Sequence, residues 1–498
     1  MSETRRPVRI RPSTRVGVAL LGFTLALAAA GCGSRVDPQT AALARGADTV
    51  GAAGVGTVSA DGPAGTTGGP VGGSAGGGST SGQAGSAGSS GGGGGVGGTT
   101  ATSGSREGGG DASPTGGVKQ ASCDGFENQT GITDESIVIS NVSDVSGPFP
   151  GLFKAAQDAV QAYVAYFNAT TDLCGRTLEL MALDSRTDAA ADQQAYAKAC
   201  AGSFAAIGSV SAFDSGGART AESCGLPDLR SVGVTPERIA CTTCYAALSG
   251  KATEFQNAVG DYYVKNYRGP SQKAAYLYAN AGGAQDAADT QVGVMEQRGM
   301  KFVYVAGIDV AEFNYAPYVQ EMKDRGVQWV QFLGAYQQAV RLAQTMQQQG
   351  FEPAVYLLDP TAYEKGYIEQ GGDAVEGTSI FLNAVPFEEA SSSPEVSLYL
   401  QWLARVDPSA DPTLYGLFAW SAARLFVEQA SALGGELSRE TLLARVAKVD
   451  DWTANGMHSP QHVGAERLGD CVRFIRVEGG TWVPEGPTKY LCSGVGST

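Results

Sequence analysis

From Ile132 onward, short apolar runs alternate with stretches of helical periodicity, and no other feature limits the fold as strongly. Strands are expected at 136–141, 177–183, 204–208 and 229–233, separated by helices at 153–168, 188–200 and 217–224. A β-α-β-α series at that spacing closes as a parallel sheet covered on both faces. A second series of similar size follows Lys251. It has helices at 254–267, 285–298, 316–325 and 337–349 and strands at 274–278, 302–305, 329–333, 354–358 and 378–382. Two doubly wound units predict an α/β protein of two lobes. Helices at 396–405, 415–433 and 439–449 and a hairpin from Cys471 through Gly479-Gly480 to Val483 complete the pattern.

The segment upstream has a different character. Of the 70 glycines, 28 fall between Gly51 and Val118, with no aromatic residue and almost no charge. Such a stretch buries too little apolar surface to offset its ordering entropy, so residues 32–120 read as a disordered tether and 121–498 as the folded part. Residues 1–31 read as a leader: five arginines, then an apolar run from Val16 to Ala30 that is short for a membrane span. The run ends in Ala29-Ala30-Gly31-Cys32, which resembles a bacterial lipobox and marks Cys32 for lipidation; ordinary secretory cleavage near Ala30 is the alternative. Loss of the leader makes the chain's formal charge of −15 four units more negative. That acidity argues against nucleic acid as a partner and against any membrane contact beyond the lipid.

Setting Cys32 aside leaves eight cysteines: Cys123, Cys174, Cys200, Cys224, Cys241, Cys244, Cys471 and Cys492. An even set in an exported chain suggests up to four disulfides. No zinc site is expected, because there is one CxxC and the two histidines, His458 and His462, bracket Pro460. A hydrolase is disfavoured: there is no Gly-x-Ser-x-Gly elbow, and both histidines lie in one loop away from the strand ends. No enzyme activity, metal or cofactor is expected.

The run Gly131-Ile-Thr-Asp-Glu-Ser-Ile-Val-Ile, then Val145-Ser-Gly-Pro148 and Cys174-Gly-Arg-Thr-Leu-Glu-Leu180, resembles the start of leucine/isoleucine/valine-binding-protein-like receptors. These are type I periplasmic binding proteins. The resemblance continues through Val327–Gly334, Gly350-Phe351, Val375-Glu-Gly377, Pro412–Tyr415 and Val477–Val483. It implies a lipid-anchored solute receptor outside the cytoplasmic membrane, closing by a hinge on a small polar ligand, amino-acid-like or a small amide or carboxylate, and serving the permease and ATPase of an ABC importer. A sensor for a signalling partner is the alternative. It also implies three crossings between lobes, near Ser249, Val385 and Asn455, with one lobe at 131–250 plus 386–455 and the other at 251–385 plus 456–492.

In open α/β sheets the ligand crevice lies beyond the carboxyl ends of the strands. Those ends carry Asp144 to Pro148 with Ser146, then Ser209, Ser211 and Phe213, then Thr235; in the second lobe they carry Asn280, Tyr336 and Asp359. The resemblance implies that Ser211 and Thr235 hold a ligand carboxylate, that Tyr336 contributes from the second lobe, and that Asp359 pairs with a ligand amine. Plainer readings stand beside these: Ser209 and Ser211 as helix caps, Ser146 as part of a turn, Tyr336 as packing and Asp359 as a strand terminator. In such lobes helix ends and strand starts share the edge away from the crevice. This favours Cys174–Cys200, with Cys471–Cys492, a tight Cys241–Cys244 loop and, by remainder, Cys123–Cys224.

Overall fold

The computed structural model describes residues 117–498 except Ala252; the leader, Cys32 and the tether up to residue 116 lie outside the described residues. The first sheet contains β1 (Ser136–Ser143), β2 (Thr177–Asp184), β3 (Ala205–Ile207), β4 (Asp228–Val232) and β5 (Cys244–Leu248). All are parallel, in the order β2-β1-β3-β4-β5. Strand β1 lies between β2 and β3 and is buried along almost its whole length, so it reads as an apolar run rather than an alternation. One face is covered by the helices Lys154–Thr170 and Leu414–Leu433, through Val160, Tyr163, Trp420 and Phe426. The other face packs on Ala189–Gly202 and Ser215–Ser223, through Tyr196, Ala199, Ala218 and Ala221.

The second half begins with β6 (Glu254–Gln256) and continues with β7 (Ala274–Ala279), β8 (Phe302–Ile308), β9 (Trp329–Leu333), β10 (Val355–Leu358), β11 (Ser379–Leu382), β12 (Cys471–Glu478) and β13 (Thr481–Glu485). Strands β8, β7, β9, β10 and β11 are parallel neighbours; β12 and β13 extend that sheet antiparallel. Two short strands end the chain. β14 (Leu491–Cys492) pairs with β12, and β15 (Val495–Ser497) pairs antiparallel with β6. The helix expected at 254–267 therefore starts only at Asn257. Its first three residues are claimed by a pairing some 240 positions away in sequence, which local periodicity does not register. Strand β5, with two alanines just after a CxxC, carries no strand signal of its own.

Three segments connect the two halves, and they are bonded to one another. Ser249 Oγ donates to Arg467 O at 2.7 Å and accepts from His462 N at 3.0 Å. Asn383 O accepts from Ser459 N at 2.8 Å, and Met457 O from Val385 N at 3.0 Å. His458 is buried at this junction, stacked on Phe418 at 4.6 Å, with Nε2 2.8 Å from Ser421 Oγ. Burial pulls its pKa down to about 4, so the ring is neutral.

All eight cysteines of the folded part are paired. Cys241–Cys244 and Cys471–Cys492 match expectation, with Cα–Cα distances of 5.3 and 4.2 Å. Cys174–Cys200 and Cys123–Cys224 do not form; the bonds are Cys123–Cys174 at 5.5 Å and Cys200–Cys224 at 6.1 Å. The reason is lateral position along the shared edge. Cys200 and Cys224 close two helices that pack side by side, whereas Cys174 sits in the turn before edge strand β2, where the segment leading into the domain passes.

Candidate ligand-binding crevice

The carboxyl ends of both sheets face one another across a crevice, and the turns that follow the strands form its walls. One cavity there, of about 260 Å³, is lined from the first half by Phe149, Leu152, Phe153, Val232, Val234 and Tyr415. From the second half it is lined by Ala281, Gln291, Leu333, Gln338, Asp359 and Thr361. It adjoins a second cavity of about 190 Å³ that runs toward Ser249 and Lys251 and shares Val232, Val234, Gln291, Asp359 and Tyr415. The halves meet around it. Thr361 Oγ1 lies 3.2 Å from Tyr415 Oη, and a Cβ placed on Gly282 would stand 2.1 Å from Ala212 O. Gly282 has φ of +54°, so both its backbone and its lack of a side chain are required.

Asp359 directly follows β10 and is 7 % exposed. Its Oδ1 accepts from Thr361 N at 3.0 Å, which caps the turn Pro360–Ala362. Among the described residues no lysine, arginine or histidine is ion-paired with it. Burial pushes its pKa up to about 6. It is the one charged residue that lines the larger cavity.

The other expected site residues are placed differently. Ser211 is buried, and its Oγ donates to Asp144 Oδ1 at 3.0 Å. Asp144 also accepts from Ser185 Oγ, Thr187 N and Ala212 N, at 2.6 to 2.8 Å. Thr235 Oγ1 donates to Asp214 Oδ1 at 2.6 Å, and Asp214 also accepts from Thr235 N, Val234 N and Arg230 Nη2. Two internal carboxylates thus saturate the donors at the ends of β3 and β4. Ser209 Oγ accepts from Val142 N at 3.1 Å and faces the sheet. Ser146 is exposed and donates to Asp184 Oδ2 at 2.5 Å, holding the turn after β1. Phe213 is half-buried and Asn280 exposed, and neither lines the two cavities. Tyr336 packs over Gly366, with its Oη accepting from Gln370 Nε2 at 3.0 Å, away from both cavities.

Of the eight residues only Asp359 reaches the cavities, while the strand ends themselves do form the walls. Sequence reasoning missed Phe149, Phe153, Gln291, Gln338 and Tyr415. A signal existed for two of them. Tyr415 belongs to a run already singled out, Pro412–Tyr415, and Gln338 lies two positions from Tyr336 on a different side of the helix Tyr336–Gln348.

A sequence model of the periplasmic binding protein family matches residues 136–481. Among curated proteins none is significantly similar in sequence. Many solved structures share its fold. A leucine-binding protein from Thermotoga maritima has 17 % identity and a TM-score of 0.60, over 70 % of this chain and 98 % of its own. A fatty acid ABC transporter substrate-binding protein from Thermomonospora curvata has 19 % identity and a TM-score of 0.60, over 74 % and 96 %. A solute-binding protein of an ABC transporter from R. palustris, solved with 4-hydroxybenzoate, has 18 % identity and a TM-score of 0.60, over 70 % and 96 %. At such identities the likeness establishes the type I fold. With the family match spanning well over half of the sequence and two doubly wound sheets facing across one crevice, the chain belongs to the periplasmic binding protein family.

Proposed function

We propose that this protein is an extracytoplasmic solute receptor, anchored through a lipid on Cys32 and held off the membrane by the tether at 32–120. It encloses a small ligand between the lobes at 131–250 plus 386–455 and 251–385 plus 456–492. It then presents that ligand to the permease and ATPase of an ABC importer. The observation that carries this reading is the crevice itself: an apolar, two-sided cavity with a single buried carboxylate, Asp359, that has no cation of its own. A buried charge is retained where something pairs with it, and a ligand is the group free to do so. The bonded three-segment junction is suited to hinge closure around that ligand. The solved structures named for leucine, fatty acid and 4-hydroxybenzoate binding support the class without selecting among ligands.

The test is a thermal-shift screen of the purified full chain against amino acids, amines, amides and small carboxylates. A ligand at 100 times its dissociation constant adds about 2.7 kcal/mol. The shift is expected to vanish in Asp359→Ala and Tyr415→Ala; a broad library that moves nothing would sink the receptor reading. For the anchor, Cys32→Ala is expected to move the protein from the membrane fraction to the soluble one.

A further inference from the structure

We infer that the ligand is an ammonium with an apolar body and no carboxylate, its charge on Asp359 and its body against Phe149, Phe153 and Tyr415. The inference rests on the crevice being the ligand site and specifies what that site takes. Three observations lead to it. First, no lysine, arginine or histidine lines the larger cavity, so a ligand carboxylate would meet no cationic side chain there. Second, the donors where the first lobe would grip a carboxylate are already bonded to Asp144 and Asp214: Ser211 Oγ, Ala212 N, Val234 N, and Thr235 N and Oγ1. A ligand carboxylate there would replace neither of these buried acids and would be repelled by both. Third, Asp359 is buried without a cationic partner, and the same cavity is lined from the other half by aromatic rings that favour an ammonium at their faces.

Two polar side chains at the cavity wall are also unspent. Gln338 is 4 % exposed, with the Tyr315 hydroxyl as its polar neighbour and neither Oε1 nor Nε2 in a hydrogen bond of good geometry. Thr187 Oγ1 is likewise buried and unbonded. These suit a neutral ligand group such as a hydroxyl or amide. The helices that begin at Ala284 and Tyr336 open on the cavity without side-chain caps, and the first carries Asp286 in its opening turn. Their partial positive ends would also draw a ligand carboxylate, so the matched acids are part of the comparison below.

The experiment compares matched compounds by calorimetry on the full chain near pH 7.5: phenethylamine, L-phenylalaninamide, L-phenylalanine and phenylacetate, and in parallel isopentylamine, L-leucine and isovalerate. The amines or the amide are expected to bind at least about tenfold more tightly than the matching amino acid, and the acids not at all. Asp359→Asn is expected to weaken amine binding by tenfold or more, with Asp359→Glu recovering part of it and the melting temperature of each variant measured alongside. If L-phenylalanine, L-leucine or either acid binds as tightly as its amine, the ligand class is wrong and the receptor reading stands. If no amine or amide binds at millimolar concentration while the broad screen yields another ligand, the class is again wrong. If the broad screen also yields nothing, both readings fail together.

Discussion

Asp214 offers the sharpest test of how the crevice wall is held. It is fully buried and accepts from Thr235 N at 3.0 Å, Thr235 Oγ1 at 2.6 Å, Val234 N at 2.9 Å and Arg230 Nη2 at 3.1 Å. Arg230 is 1 % exposed and keeps one further acid, Asp228, at 3.0 Å. In Asp214→Ala the guanidinium loses one of two counter-charges, and three buried donors lose their acceptor. Removing one member of a buried pair costs about 3–5 kcal/mol, and each stranded donor falls within the same range of effects rather than adding fully. A loss of about 4 kcal/mol is therefore expected. With a urea slope of roughly 3 kcal/mol/M for a domain of this size, the midpoint should fall by somewhat more than 1 M. Asp214→Asn keeps the shape but turns an amide toward Val234 N or Arg230, so it should cost at least about 2 kcal/mol. The assay is urea unfolding followed by far-UV circular dichroism, with exposed Ser146→Ala as a control expected to stay within about 1 kcal/mol. A loss below about 1 kcal/mol in Asp214→Ala would refute the claim that this carboxylate anchors the turn at 232–235.

Three other expectations follow from the structure. His458, whose pKa falls to about 4 on burial, must take up a proton when the chain unfolds in acid. Its contribution is present above pH 6.5 and lost as pH falls toward 4, about 3 kcal/mol in all, and His458→Gln should flatten that part of the stability profile measured by denaturant titration. Glu364 is raised to about 8 by burial first and by Asp411 second, across a crevice also lined by Phe387 and Trp482. Its protonated form is the one the fold favours, so stability is lost as pH rises from 4.5 through 8. Glu364→Gln should be more stable than the parent at pH 8 by about 1 kcal/mol or more, and an unchanged pH profile would count against it. Cys200–Cys224 spans a sequence separation of 24, and its removal by Cys200→Ser/Cys224→Ser should cost about 3 kcal/mol. A non-reducing peptide map that joins Cys174 to Cys200 instead would overturn the pairing.

The legible part of this protein is whatever local periodicity encodes. Both doubly wound series, the long helix ending at Leu433 and the hairpin after Cys471 are each written in contiguous residues, and they appear where expected. Elements made by distant pairing were not legible: Glu254–Gln256 has helical composition and becomes a strand because Val495–Ser497 lies alongside. The site divides in the same way. That strand ends form the crevice follows from topology, so the walls could be placed. Which hydroxyl at a strand end faces a ligand depends on who else competes for it. Asp144 and Asp214 win Ser211 and Thr235, and nothing in the spacing of those four residues announces that. Asp359 lines the cavity because the strand end that carries it is set by topology, and the resemblance singled out the acid at that end. Cys200 was matched to the wrong partner because sequence gives the edge on which a residue lies and not its lateral place along that edge.

Gly282 and Gly283 bring bare backbone against Ala212 and Val234, so this part of the rim meets through main chain, beside the Thr361–Tyr415 side-chain contact. The contact between the halves and the lining of the cavity are thereby written in separate places. Substitutions at Phe149, Leu333 or Gln338 can re-letter the interior while the rim still shuts, whereas one methyl group at Gly282 acts as a doorstop whatever lies inside. A scaffold arranged so can change its lining in single steps while its halves keep the same fit.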